Sequence, residues 1–76
     1  MEKEQILVVD DDEGLLHLLK MRLAAEGFAV TACTTGQDAV TEAKKKMFNI
    51  AITDLRLQGE DGLDVTEELL RIHPQL

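Results

Sequence analysis

The sequence predicts an α/β protein built on a parallel sheet, and three observations lead there. Three short apolar runs recur along the chain: Ile6 to Val9, Phe28 to Ala32, and Asn49 to Thr53. Runs of this length, without strict alternation, suit strands buried on both faces of a sheet. Each run is followed by a stretch with helical spacing, so the order is βαβαβα. Short connections between such units imply right-handed crossovers and a sheet covered by helices on both faces. No linker, repeat or low-complexity stretch breaks the 76 residues, so residues 1–76 are read as one unit.

The element boundaries carry their own signals. Asp10-Asp11-Asp12 follows the first run, and Asp12 or Glu13 can cap a helix beginning there. From Glu13 to Glu26, leucines 15, 16, 18, 19 and 23 recur at helical spacing, with Lys20 and Arg22 near the C-terminal end. Gly27 stands where a left-handed stop is wanted. Thr35 can cap a second helix, Gly36 to Lys46, whose Lys44, Lys45 and Lys46 complement the helix dipole. Asp61 can cap a third helix of about Leu63 to Ile72, which Pro74 ends.

Composition narrows the function classes. Eight basic and fifteen acidic residues give a net charge of −7, so the chain repels phosphate backbones and anionic membranes alike. Residues 1–9 carry no signal-peptide pattern, and no apolar stretch approaches a membrane span. The single cysteine, Cys33, removes an internal disulfide and a cysteine-rich zinc site, and points to a reducing, cytoplasmic compartment. A chain this short supports one thin core, for which a metal or a second subunit would be the remaining aids.

The chemistry gathers at the strand ends. In open α/β sheets, ligands bind beyond the carboxyl ends of the strands, near the point where strand order reverses. The first strand ends in Asp10-Asp11 and the third in Asp54. If those strands are neighbours, three carboxylates converge. At an effective dielectric of about 20, two carboxylates about 4 Å apart repel by roughly 4 kcal/mol. Either one acid keeps a proton at neutral pH or a hard divalent cation binds among them. An all-oxygen site favours magnesium or manganese over zinc. Magnesium commonly shares its coordination with a phosphate oxygen, so Asp54 could serve as a carboxylate nucleophile forming an acyl phosphate.

Competing readings of the acids are weaker. Asp12 is best explained as a helix cap. A calcium loop fails on spacing. Counted from Asp54, Gly59 is sixth, but Arg56 is third and Val65 twelfth; counted from Asp10, Gly14 is fifth. A haloacid-dehalogenase-type phosphatase also uses an aspartate after a strand. Its Asp-x-Asp pair could only be Asp10 and Asp12, and the later acids it needs are missing from their place.

The strings Ile6-Leu-Val-Val-Asp-Asp-Asp12 and Ile52-Thr-Asp-Leu-Arg-Leu-Gln-Gly-Glu-Asp-Gly62 together resemble the receiver domain of bacterial two-component response regulators. The resemblance runs over essentially the whole chain. It implies a flavodoxin-like doubly wound sheet, of which this chain holds the first three βα units in order 2-1-3. The last two units of the family's 2-1-3-4-5 sheet are missing, since the chain stops at Leu76 where the fourth main strand would begin. It also implies that Asp10 and Asp11 bind Mg2+, that Asp54 accepts phosphate from a sensor histidine kinase, and that Arg56 lends its backbone carbonyl to the metal. Gly62 maps onto the glycine before the third helix. Gln58 stands where the family often has proline. The Asp54-Leu-Arg-Leu57 wording is similar to receivers of nitrogen-regulator-type transcriptional activators, which implies an attached output controlling transcription. The family's hydroxyl residue after strand four and lysine after strand five have no counterpart, and Lys44 to Lys46 cannot replace that lysine from the second helix.

Two function classes follow. The first is a phosphoacceptor signalling module, not an enzyme in the ordinary sense; the second is an assembly module that is not phosphorylated. The order 2-1-3 would leave Ile50 to Thr53 as an apolar edge, so a homo-oligomer through the third strand or third helix is expected. Other residues read blandly. His17 belongs to the polar flank of a helix, His73 to the capping of its own helix end, and Cys33 is an unreactive thiol. Met21 and Met47 are expected to fill the core.

Overall fold

A computed structural model describes residues 3–54, 56–57 and 59–76. Its elements are β1 (Gln5–Val9), α1 (Glu13–Ala25), β2 (Ala29–Cys33), α2 (Gly36–Lys45) and β3 (Ile50–Thr53), then a small hairpin of β4 (Arg56–Leu57) and β5 (Glu60–Asp61), and finally α3 (Gly62–Ile72). Gln58, where the resemblance has proline, lies outside the described residues.

The main sheet is parallel with order β2-β1-β3. The apolar run of β1 explains its central place. Ile6, Leu7, Val8 and Val9 are each at most 2% exposed, which requires cover on both faces and a partner on both edges. The chain moves from β1 outward to β2, then back across β1 to β3. With right-handed crossovers, that reversal puts α1 and α2 on opposite faces. Leu16 of α1 accordingly packs with Ile6 and Val8, while Ala39 and Ala43 of α2 and Val65 and Leu69 of α3 pack with Leu7 and Val9.

The caps follow the sequence closely. Of the two candidates at α1, Asp12 is the cap: its side chain accepts from the Leu15 amide at 3.1 Å. Thr35 accepts from the Asp38 amide at 3.0 Å, and Asp61 from the Leu63 amide at 2.9 Å. Gly27 ends α1 at φ +99°, a backbone state that side chains resist.

Several expectations are corrected. Met21 and Met47 are 58% and 69% exposed, not core. On α1, Leu16, Leu19 and Leu23 share the inward face, and Met21 and Leu18 lie on the far side of the helix. After α2 the backbone extends at Lys46, so neighbours point opposite ways; Phe48 turns inward at 4% exposure and Met47 outward. Lys46 is therefore a cap and not a helical residue. Gly62 begins α3 instead of preceding it. His73 is the C-cap of α3, its backbone amide donating to the Leu69 carbonyl at 2.9 Å, but its ring works elsewhere. Its Nε2 reaches the carbonyls of Ala43 and Lys46, at 2.6 and 3.2 Å, and so serves the end of α2. No helix among the described residues is long and apolar enough to cross a membrane.

Candidate metal and phosphoryl site

Neighbouring strands bring the acids together. β1 and β3 pair in register, with Val9 opposite Thr53. The Asp54 amide donates to the Val9 carbonyl at 3.0 Å, and the Asp10 amide to the Cys33 carbonyl at 3.1 Å. Each ladder thus runs one residue past its strand, which fixes both aspartate backbones at the carboxyl edge of the sheet. Carboxylate oxygens of Asp10, Asp11 and Asp54 lie within 4.8 Å of one another. Asp10 is the most enclosed of the three, only 9% exposed.

Local bonds orient the carboxylates. Asp10 Oδ1 accepts from the Asp12 amide at 2.9 Å, and Asp54 Oδ1 accepts from the Arg56 amide at 3.0 Å. Asp12, turned to capping α1, does not belong to the cluster. Arg56 opens the hairpin: it pairs with Asp61, and Leu57 pairs with Glu60, around a turn in which Gly59 takes φ +73°. Leu57 is 5% exposed and plugs the hairpin into the core.

The donor chemistry suits a hard cation. Three carboxylates supply oxygen alone, and the nearby sulfur is not a competitor. Burial, followed by the charges of Glu42 and Asp38, pushes the Cys33 thiol up to about 11, so it stays protonated at neutral pH. Lys44, Lys45 and Lys46 are exposed at the far end of α2, a ten-residue helix about 15 Å long, away from the acids. His17 is exposed on α1 and takes no part.

One residue at this edge escaped the sequence reading. The Glu60 carboxylate reaches across to α2, where Oε1 accepts from the Gly36 amide at 2.7 Å and Oε2 from the Gln37 amide at 3.1 Å. No local pattern announces it, because its partners lie more than twenty positions upstream.

A three-layer α/β sheet with acids clustered at its switch point defines a crevice-site module of the doubly wound class. The response regulator receiver domain model matches residues 6–76, and the chain belongs to that family. It is 35% identical over 69 residues to the transcriptional regulatory protein GlrR of Escherichia coli K12, covering 91% of this chain and 16% of GlrR. Among solved structures, it is similar to a CheY-like response regulator receiver domain protein from Methanospirillum hungatei JF-1. That match has a TM-score of 0.93 and 29% identity, and covers 96% of this chain and 58% of the other. A third match is the response regulator TrrA of Thermotoga maritima, solved in complex with Mg2+ and BeF, at TM-score 0.85 and 30% identity over 93% of this chain and 62% of TrrA. The chain therefore spans less than two thirds of these relatives' lengths. Receiver domains are signalling modules that work with sensor histidine kinases in two-component systems. Nothing in the fold or the likenesses favours the inert assembly module over this reading.

Proposed function

We propose that Asp54 is the phosphoacceptor of this receiver, and that Asp10, Asp11, Asp54 and the Arg56 carbonyl hold the divalent cation, Mg2+ or Mn2+. The observation that carries it is the convergence of three carboxylates within 4.8 Å at the β1/β3 edge. TrrA, a relative of the same fold, was solved with Mg2+. When bound, the cation supplies positive charge for the acids and the phosphoryl oxygens. The chain's own residues do the rest. The Arg56 amide holds the Asp54 carboxylate in one orientation, and the sheet ladder fixes its backbone. An Asp54 oxygen forms the bond to phosphorus as the phosphorus–nitrogen bond of the kinase phosphohistidine breaks, and the imidazole leaves with that electron pair. The segment acts in the cytoplasm, upstream of an output that regulates transcription, as the GlrR likeness supports.

Incubation with Mg2+ and acetyl phosphate, followed by intact-mass measurement, tests this. One added phosphoryl group is expected in the native chain and none in Asp54→Asn. No gain at any Mg2+ concentration overturns the assignment.

The same reading includes self-association. β3 is an edge strand on which Ile50 and Ile52 are each 42% exposed, and Leu63 of α3 is 59% exposed. A second copy pairing at this edge would cover them. Light scattering at micromolar concentration should give a dimer mass; a folded monomer rules it out.

A further inference from the structure

We infer that Glu60 is a positioning residue for the metal site, acting as a clip between the loop after Asp54 and the start of α2. The inference rests on the reading of Asp10, Asp11, Asp54 and Arg56 as the metal cage.

The first turn of a helix leaves amides that have no intrahelical acceptor. In α2 these are accounted for by two different residues. Thr35 Oγ1 takes the Asp38 amide, the usual local cap. The Gly36 and Gln37 amides are taken by the two oxygens of Glu60, from a segment 24 and 23 positions away. The contact joins a carboxylate to the positive end of a helix, an arrangement that favours the hydrogen bond.

A second observation shows that the approach is built in. Gly36 stands where a Cβ would come within 2.3 Å of Val65 Cγ2 and 3.0 Å of Glu60 Oε2. Only a glycine lets α3 and the Glu60 carboxylate come this close to the α2 terminus.

The clip acts on Arg56 through the hairpin. Glu60 pairs with Leu57, the residue that follows Arg56, and Asp61 pairs with Arg56 itself. Among the described residues, the anchors of this hairpin include Leu57 plugged into the core, Asp61 capping α3, and Glu60 clipped to α2. Of these, Glu60 is the anchor that hydrogen-bonds to α2. Releasing that tie lets the Arg56 backbone wander from the aspartates, although no proposed ligand has been altered. Groups that orient ligands from behind change metal affinity by about 10- to 100-fold when removed.

The test compares Glu60→Ala with Asp64→Asn. Asp64 lies in the first turn of α3 and lines the same groove, so its variant removes one negative charge without releasing the hairpin. Mg2+ titration followed by NMR should show about tenfold weaker binding in Glu60→Ala, and less than a twofold change in Asp64→Asn. Amide exchange in metal-free protein should quicken at Gly36 and Gln37, and also at Arg56. If Glu60→Ala unfolds the chain, Glu60→Gln keeps one acceptor oxygen and should fall between the two. Quickened exchange confined to Gly36 and Gln37, with Mg2+ affinity within twofold of native, would reduce Glu60 to a helix cap and overturn the inference. So would an equal loss of affinity in Asp64→Asn. If the native chain binds no Mg2+, the cage reading fails, and Arg56 exchange alone decides whether Glu60 positions the loop.

Discussion

The two faces of the sheet are built from alternate residues of the same strands, yet they close to different degrees. On the α2/α3 face, Leu7, Val9, Cys33, Ala39, Ala43, Phe48, Leu57, Val65 and Leu69 form one buried cluster. On the α1 face, among the described residues, the buried cluster is Ile6, Val8 and Leu16, and Leu19, Leu23, Phe28, Val30 and Ala32 are partly open around them. Ile50 and Ile52 point to that second face and are each 42% exposed, whereas Ala51 between them packs into the first cluster. Topology is the cause. One reversal of winding sends two helices to one side of a three-stranded sheet and leaves one for the other, and a single helix cannot span three strands. The acids stand at the edge both faces share, and their loop is anchored to the closed one through Leu57 and Glu60.

If that contrast is real, the closed face should dominate stability. Leu69→Ala, at a position 1% exposed, should cost about 2–5 kcal/mol in urea unfolding, enough to unfold much of a chain this small. A loss under about 1 kcal/mol there would erase the contrast.

A smaller effect probes the same face by pH. Burial raises the Cys33 thiol from 9.0 to about 11, so the folded state keeps a proton that the unfolded chain gives up first. Its contribution is intact below pH 9 and is lost as pH rises from 9 to 11. The stability of the native chain relative to Cys33→Ala should therefore decline across that window. A flat difference would mean that the thiol is not enclosed.

The smallest effect belongs to the open face. Leu18, 64% exposed on the outer side of α1, should tolerate Leu18→Gln within about 0.5 kcal/mol in the same urea assay. A large loss would show that this side of α1 is covered in solution.

Local signals explain why so much of the fold was readable. β1 declares itself through four consecutive buried apolar residues, and each helix start through one capping side chain that bonds two or three residues ahead. Such interactions lie within a few positions of one another, so the sequence displays them directly. The hairpin between Arg56 and Asp61 left no trace, because strands of two residues are too short to establish a period. Met47 misled because, once the helix ends, one residue of extended chain decides which side chain faces in.

The sequence by itself determined the three βα units, their caps, and the placing of acids at two strand ends. Those depend on short-range hydrogen bonding and on periodic burial, both written along the chain. Tertiary structure alone decided that α2 and α3 share a face, that His73 serves the end of α2, and that Glu60 closes its beginning. Each joins groups more than twenty residues apart. Such contacts depend on how the elements pack in space, and no spacing along a single strand or helix records that.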